Sequence, residues 1–407
     1  MTSEDIERRI AAACRAVLES NWREGSQGGH DYAFGAPSPG RYPWQWYWDS
    51  CFHAIVRRRY DPERSRRELS CLLEASENGF IGHVIFWGKP LNLERAIRYN
   101  IARRHDPMTS TIQPPLLAWA WRIAVGDPAA EPRIAQHHRW LTEHRDLDGD
   151  GLLWLIQPDE SGLDASPKFD HVWGPYAQGR RRFPLLIHRN RRLGFDARRV
   201  RDAGRPVLCE VVTNVLWSLA RQAAGEPSPT AALVERLWHE PTGRFLDEAR
   251  NPRTALAPAQ VPFTWDTLAP LALPDLPEPI GRRLVEETLL SGPRFWDGVP
   301  LASVALDDPA HTSRDHFWGL RRYWRGPSWV NAAWLAWIGL RRLGYAAEAD
   351  VLAGRLCDVV VREGVREYYE ARTGAGMGAK QFGWSTLAWE LADPDPAAAR
   401  SYLPAKR

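Results

Sequence analysis

The 407-residue sequence predicts an all-α fold. Three observations carry that prediction. Apolar residues recur with a helical period through most of the chain, alternation over strand length is almost absent, and the periodic segments end at helix stop signals. Over 208–223 the set Val211, Val212, Val215, Leu219 and Ala223 falls on one face, and Gly225 stands just past the end. From 115 to 125, Leu116, Trp119, Ala120 and Ile123 share a face ahead of Gly126. Over 328–343, Ser328 can cap the first turn, Trp334, Leu335 and Ile338 share a face, and Gly344 terminates. The same spacing predicts helices near 4–20, 48–59, 63–78, 132–145, 229–239, 281–291, 346–362 and 382–391.

A dozen helices with one apolar face each must close into a bundle, solenoid or barrel to bury those faces. No fixed-length repeat of a solenoid array is present. The stretches 79–114, 146–184 and 293–327 lack helical period and are rich in Pro, Gly, Trp and acids. Long irregular segments inside a compact domain are usually functional. The Pro-rich 257–281 reads as a connection, and no linker divides the chain, so residues 1–407 are expected to form one domain.

Composition excludes several classes. With 44% hydrophobic and 25% charged residues the chain is neither collagen-like, disordered nor an integral membrane protein. A net charge of +3 is too small to call for nucleic acid or a membrane surface. Ten arginines crowd residues 180–205, but the balanced remainder favours a solvated face or a contact between copies of the chain. Lysine is scarce (Lys89, Lys168, Lys380 and Lys406), which makes each one worth attention. Cys14, Cys51, Cys71, Cys209 and Cys357 are scattered and read as buried thiols of a reducing compartment. The start MTSEDIERRI carries no apolar leader, and the longest apolar run, 332–340, is too short to span a bilayer; the expected location is the cytoplasm. The 21 tryptophans are unusual, and suit either an aromatic core or a pocket for flat apolar faces such as a sugar ring.

The strongest local signal is QPDESGLDASPKFD at 157–170. Asp159, Glu160, Asp164 and Asp170 lie close together, and Gly162 and Pro167 prevent one helical face. Crowded carboxylates near Trp154, Phe169 and Trp173 can hold a proton near neutrality, the property of a general acid. The bland reading is a solvated acidic loop. The second signal is Glu367, which opens EYYEARTGAGMGAKQFGW: a helix-to-helix connection, or the second carboxylate that glycoside hydrolysis requires. The clusters YPWQWYWDS (42–50), VIFWG (84–88), TSTIQPP (109–115) and YWRGPSW (323–329) mix Trp with Asp, Gln and Arg, as a sugar's faces and hydroxyls demand. In DLDGDG (146–151), Asp146, Asp148 and Asp150 have calcium-loop spacing, but Gln157 stands where a bidentate Glu is needed, so a plain turn is favoured. No HExxH or nucleotide-binding motif is present, and neither a metal nor a cofactor is called for.

These motifs, in order from about residue 40 to 390, resemble glycoside hydrolase family 63, which includes processing α-glucosidase I and the bacterial mannosylglycerate and glucosylglycerate hydrolases. The compact length is similar to the latter. The resemblance implies an (α/α)6 barrel with long functional loops at one end and an inverting mechanism. It implies Asp164 as acid and Glu367 as base, with Asp49 on sugar hydroxyls beside Tyr42, Trp46 and Trp48. Gln113, Trp324 and Arg325 match other sugar-binding positions, Tyr323 and Gln381 fit the glycerate end, and Trp87, Trp173 and Gly174 complete the expected binding set. The expected partner is a small carbohydrate, most readily an anionic hexosyl glycerate. The competing readings are a glucosidase or trehalase acting on an uncharged sugar, an (α/α)6 epimerase, and a non-catalytic helical binding protein.

Overall fold

The computed structural model describes residues 3–88, 99–103, 106–175, 177–179, 182–314, 316–317, 320–321, 323–393 and 402. Lys89, Arg180, Arg181 and Lys406 lie outside them. Half of the chain is helical. Among the described residues the helices longer than one turn are α1 (Ser3–Asn21), α2 (Tyr47–Arg57), α3 (Pro62–Glu74), α4 (Leu117–Ala124), α5 (Glu131–Arg145), α6 (Arg182–Arg192), α7 (Ala197–Asp202), α8 (Val211–Ala223), α9 (Thr230–Leu237), α10 (Glu278–Arg283), α11 (Val330–Leu343) and α12 (Ala346–Glu363). Their ends obey local chemistry. Asp61 caps α3 by accepting from Arg64 N, with Pro62 at the first position. α11 stops at Gly344, whose φ of 87° suits a residue without a Cβ.

Six inner segments touch in a closed cycle: α2, α4, α8, the 3-10 segment Trp265–Ala272, α11 and the 3-10 segment Gly383–Leu387, which returns to α2. Outer helices pack on them, α3 on α2, α9 on α8, α12 on α11 and α1 on 383–387. The π-helical turn Leu284–Leu289 that continues α10 packs on 265–272. α5 is tied to the cycle by side chains, Tyr47 Oη to His137 Nε2 at 3.0 Å and His138 edge-on to Trp217. A helical toroid fits this arrangement. Inner α2 and α8 are buried on nearly every face, as a ring between core and outer layer requires.

Two sequence expectations need correction here. The Pro-rich 257–281 is more than a connection. Trp265–Ala272 is entirely buried and supplies one inner segment of the cycle, and Pro270 inside it, lacking an N–H, explains both the 3-10 winding and the weak periodicity. The predicted helix at 382–391 is likewise a 3-10 turn followed by the short helix Ala388–Leu391. The arginine run forms α6 and α7. Several of its guanidinium groups donate to carbonyls of neighbouring loops, Arg191 to Ile101 O at 2.9 Å and Arg198 to Asp146 O at 3.0 Å.

Strands are short and serve the loops. Trp22–Gln27 pairs with His30–Gly35, and Val207–Cys209 lies between Trp154–Leu155 and Glu248–Arg250. Arg366–Tyr369 pairs with Gly376–Lys380, with a bulge between Arg366 and Tyr368. Such lengths leave too few residues for alternation to be visible.

The axis of the toroid is filled by aromatic rings. Trp48 contacts Phe52 at 5.6 Å between centroids, Phe52 meets Trp334 at 6.2 Å, and Trp334 meets Trp119 and Tyr402 at 5.2 Å each. Tyr402 is buried there, its hydroxyl donating to Glu390, a carboxylate that also takes both Arg58 and Arg59. Arg58 stands nine residues after Asp49 along α2, about 14 Å away. All five cysteines are buried and unbonded to one another. Among the described residues no helix is long and apolar enough to cross a membrane.

Candidate active site

Asp49 is reached first. It lies in the opening turn of α2, 2% exposed, and its Oδ1 has no hydrogen-bond partner. Burial, and then the charge of Glu367, push this carboxyl well above its ordinary range. The strand Gln45–Trp46 ahead of α2 pairs with Val84–Ile85, bringing Trp46 beside His83. Trp46 Nε1 is also buried without a partner. Gln113 Oε1 accepts from Trp48 N at 3.1 Å, so the TIQPP loop is anchored to the start of α2.

The acidic loop resolves into four carboxyls with different partners. Glu160 accepts Arg145 Nη1 at 2.9 Å and Nη2 at 2.6 Å, together with the N–H of Ile156 at 2.7 Å; it is a structural anion. Asp170 pairs with Arg325. Asp159 accepts from Asn100 and from Gln157 Nε2, and burial, then the charges of Asp164 and Glu160, push it up to about 8. Asp164 remains. It follows Gly162, whose φ of 71° turns the chain and where a Cβ would stand 2.5 Å from Trp48 Cζ2. Burial pushes the Asp164 carboxyl up to about 6, against a hydrogen bond from Gln178 and with help from the charge of Glu367.

Glu367 sits at the bulge of its hairpin, a device that turns a side chain out of the regular ladder. Its Oε1 accepts from Tyr42 Oη at 3.1 Å and from Tyr323 Oη, and its Oε2 accepts from Ala379 N at 2.7 Å with Arg41 Nη1 at 3.6 Å. Gly378 makes this approach feasible, since a Cβ there would lie 2.5 Å from Oε2. Burial raises the Glu367 carboxyl above its usual value, while Tyr323, the Ala379 N–H, Arg41 and Tyr42 work to lower it.

Asp49, Asp164 and Glu367 line one cavity of about 140 Å³, walled also by Tyr42, Trp46, Trp48, Gln113 and Tyr323. Eight of the sequence-predicted residues are thus brought together. Six are not in its wall. Trp87 donates Nε1 to Gln45 Oε1 at 2.8 Å and stacks on Tyr32. Trp324 lies in a stack with Trp329, 4.0 Å apart and nearly parallel, and also stacks with Trp265 at 5.8 Å. Trp173 packs edge-on to Phe169, and Gly174 abuts Arg253. Arg325 is held by Asp170, and Gln381 is exposed, its carbonyl accepting from Asn21 Nδ2 at 2.9 Å. The wall adds residues outside the predicted set, notably His83, Phe382 and Trp384. Burial lowers His83 to about 3, so it is neutral. A larger groove of about 540 Å³, around Phe80, Trp140 and His144, shares no wall residue with this cavity.

The DLDGDG loop spends its carboxylates locally. Asp146 accepts from the N–H groups of Gly149 and Gly151, while Asp148 and Asp150 meet Arg236. Among the described residues, the side chains with cation-ligand spacing are instead Glu210, Asp247 and Asp266.

Comparison with known proteins agrees with this chemistry. The chain is 28% identical to mannosylglycerate hydrolase of Thermus thermophilus, covering 87% of this chain and 95% of that protein. It is 28% identical to glucosylglycerate hydrolase of Mycolicibacterium hassiacum, covering 86% and 92%. Its fold matches the crystal structure of the family 63 mannosylglycerate hydrolase of Thermus thermophilus in complex with Tris and D-glycerate, with TM-score 0.76, 26% identity and coverage of 94% and 99%. A family model described as the mannosylglycerate hydrolase MGH1-like glycoside hydrolase domain matches residues 42–385. The chain belongs to this family and is a glycoside hydrolase.

Proposed function

We propose that the protein is an inverting α-glycosidase of a small hexosyl glycerate, in which Asp164 is the general acid and Glu367 the general base. The observation that carries the reading is the pair of unlike carboxyls in one cavity wall. Asp164 is pushed up to about 6 by burial, whereas Glu367 is surrounded by donors to its ionised form. Environments that separate two carboxyls in this way suit one acid and one base. The substrate class follows from relatives that act on mannosylglycerate and glucosylglycerate and from a matching fold that holds D-glycerate. The closed cycle of six inner segments, with outer helices packed on it, supports an (α/α)6 barrel, and we read the whole chain as that one domain.

In this mechanism Asp164 gives its proton to the glycosidic oxygen as the bond to the anomeric carbon breaks, and the electron pair leaves with the aglycone. A water attacks that carbon from the opposite face and loses a proton to Glu367. The unpartnered Asp49 Oδ1 and Trp46 Nε1 supply an acceptor and a donor for ring hydroxyls, and Trp48 and Trp384 offer apolar faces.

The pH dependence follows from these groups. Activity requires Asp164 protonated and Glu367 ionised. kcat/KM therefore falls as pH rises through about 6 and falls again as Glu367 gains its proton, with a maximum on the acid side of neutrality. A profile flat from pH 5 to 8 would contradict the assignment.

The test of substrate is hexose release from α-mannosylglycerate, α-glucosylglycerate and trehalose, with the anomer formed first followed by NMR. Turnover of a hexosyl glycerate with initial β-hexose is the expected result. Turnover of trehalose with neither glycerate cleaved would overturn the substrate class, and initial α-hexose would overturn inversion.

A further inference from the structure

We propose that Lys168 is a positioning residue whose ammonium is the internal cation locking the Asp164 loop onto the inner cycle; this rests on Asp164 being the acid. Lys168 lies four residues after Asp164, in the 3-10 turn Pro167–Phe169, and its side chain is 2% exposed. Its Nζ meets Glu210 Oε1 at 2.6 Å, Asp266 Oδ2 at 2.8 Å and Asp247 Oδ2 at 3.0 Å. The three carboxylates come from separate parts of the fold. Glu210 is the N-cap of α8, accepting from Val212 N at 3.1 Å and Thr213 N at 2.6 Å. Asp266 lies in the inner segment Trp265–Ala272, and Asp247 Oδ1 accepts from Val211 N at 2.9 Å.

The anchor is rigid on both sides. Glu210 and Asp247 are fixed by backbone donors, and between Lys168 and Asp164 the chain makes two interlocked turns, Ser166 N to Leu163 O at 3.1 Å and Phe169 N to Ser166 O at 3.2 Å. Movement at Lys168 is therefore passed to Asp164. Three carboxylates with oxygens all within 4.8 Å of one another are the setting a divalent cation takes in other proteins. Here the chain's own ammonium fills it. A lysine suits the place because three N–H donors on a point charge face three carboxylates, which a planar guanidinium fork would not match. Three negative groups against one positive leave a surplus, and Asp247 is pushed up to about 7, by burial first and its acidic neighbours after, with Lys168 opposing.

A structural role alone would lower activity on every substrate equally, whereas displacement of the acid spares a substrate that needs none. An α-hexosyl fluoride is such a probe. Its C–F bond breaks with the electron pair leaving on fluoride, water adds at the anomeric carbon, and its proton goes to Glu367. The readout is the ratio of kcat/KM for the hexosyl glycerate to that for the fluoride, which cancels the fraction of enzyme folded. In Lys168→Met the ratio is expected to fall at least about 30-fold, approaching that of Asp164→Asn. Glu210→Gln, which removes the nearest partner charge while keeping a cap acceptor, is expected to lower it less. An unchanged ratio in both Lys168→Met and Glu210→Gln would overturn the proposal. An unchanged ratio in Asp164→Asn would overturn the acid assignment, and the proposal with it.

Discussion

Asp164→Asn is expected to lower kcat/KM on the hexosyl glycerate by about 100- to 10,000-fold, the range that a positioned general acid contributes. Glu367→Gln is expected to cost at least as much, because without a base the attacking water keeps its proton through the transition state. The two variants differ on a substrate with an activated leaving group. Asp164→Asn retains turnover of the α-hexosyl fluoride and Glu367→Gln does not, since fluoride departs without help but water still needs deprotonation. Steady-state kinetics on both substrates make the test, and a variant of either residue that keeps more than a tenth of wild-type kcat/KM on the glycerate would remove it from the chemistry. The buried Asp164 carboxyl is also a burden on the fold. Its folded-state pKa is raised to about 6, so stability is complete where the carboxyl is protonated in folded and unfolded chains alike and is lost as pH rises through that value.

Arg145→Met is expected to destabilise the fold by about 3–5 kcal/mol, because it leaves the Glu160 carboxylate buried without its partner. Arg145 is 1% exposed and Glu160 fully buried, and their paired contact of 2.9 and 2.6 Å joins α5 to the acidic loop. Chemical denaturation measures the loss, and a change below about 1 kcal/mol would mean that the pair carries little. The double variant Arg145→Met/Glu160→Met is expected to recover part of the stability, since replacing both members removes the stranded charge along with its partner. Such a recovery would mark Glu160, four residues before Asp164 in the same loop, as a residue that holds the fold.

Much of the helical layer was legible because its signals are local. The faces of α4, α8 and α11 and the glycines that end them are written within a few turns of sequence. Trp265–Ala272 was not legible as an inner segment, because its helix is too short and too tightly wound to show a 3.6 period and carries a proline. The hairpin that presents Glu367 was missed for a similar reason, since a four-residue strand with a bulge has no alternation to detect. In the site, the motif resemblance singled out eight of the residues that share the cavity around Asp49, Asp164 and Glu367. It could not separate those that face the cavity from those one layer behind, such as Trp87 and Trp324, because facing depends on ring packing across distant segments. His83 carried a usable signal, standing just before the VIFWG cluster, but a lone histidine is more often a core residue. Lys168 was marked out by the rarity of lysine, and its three partners, scattered from 210 to 266, meet only in the fold.

The aromatic column from Trp48 to Tyr402 places packed rings, and no passage, next to one wall of the cavity. A ring open at both ends could admit substrate on one side and discharge product on the other. For the reaction proposed above, the expected consequence is that hexose and aglycone leave the cavity on the side away from these rings, the aglycone first. Competitive inhibition by the hexose, stronger than by the aglycone, is the expected result in initial-rate kinetics, and it would give the tryptophans of the core a part in how fast the cavity empties.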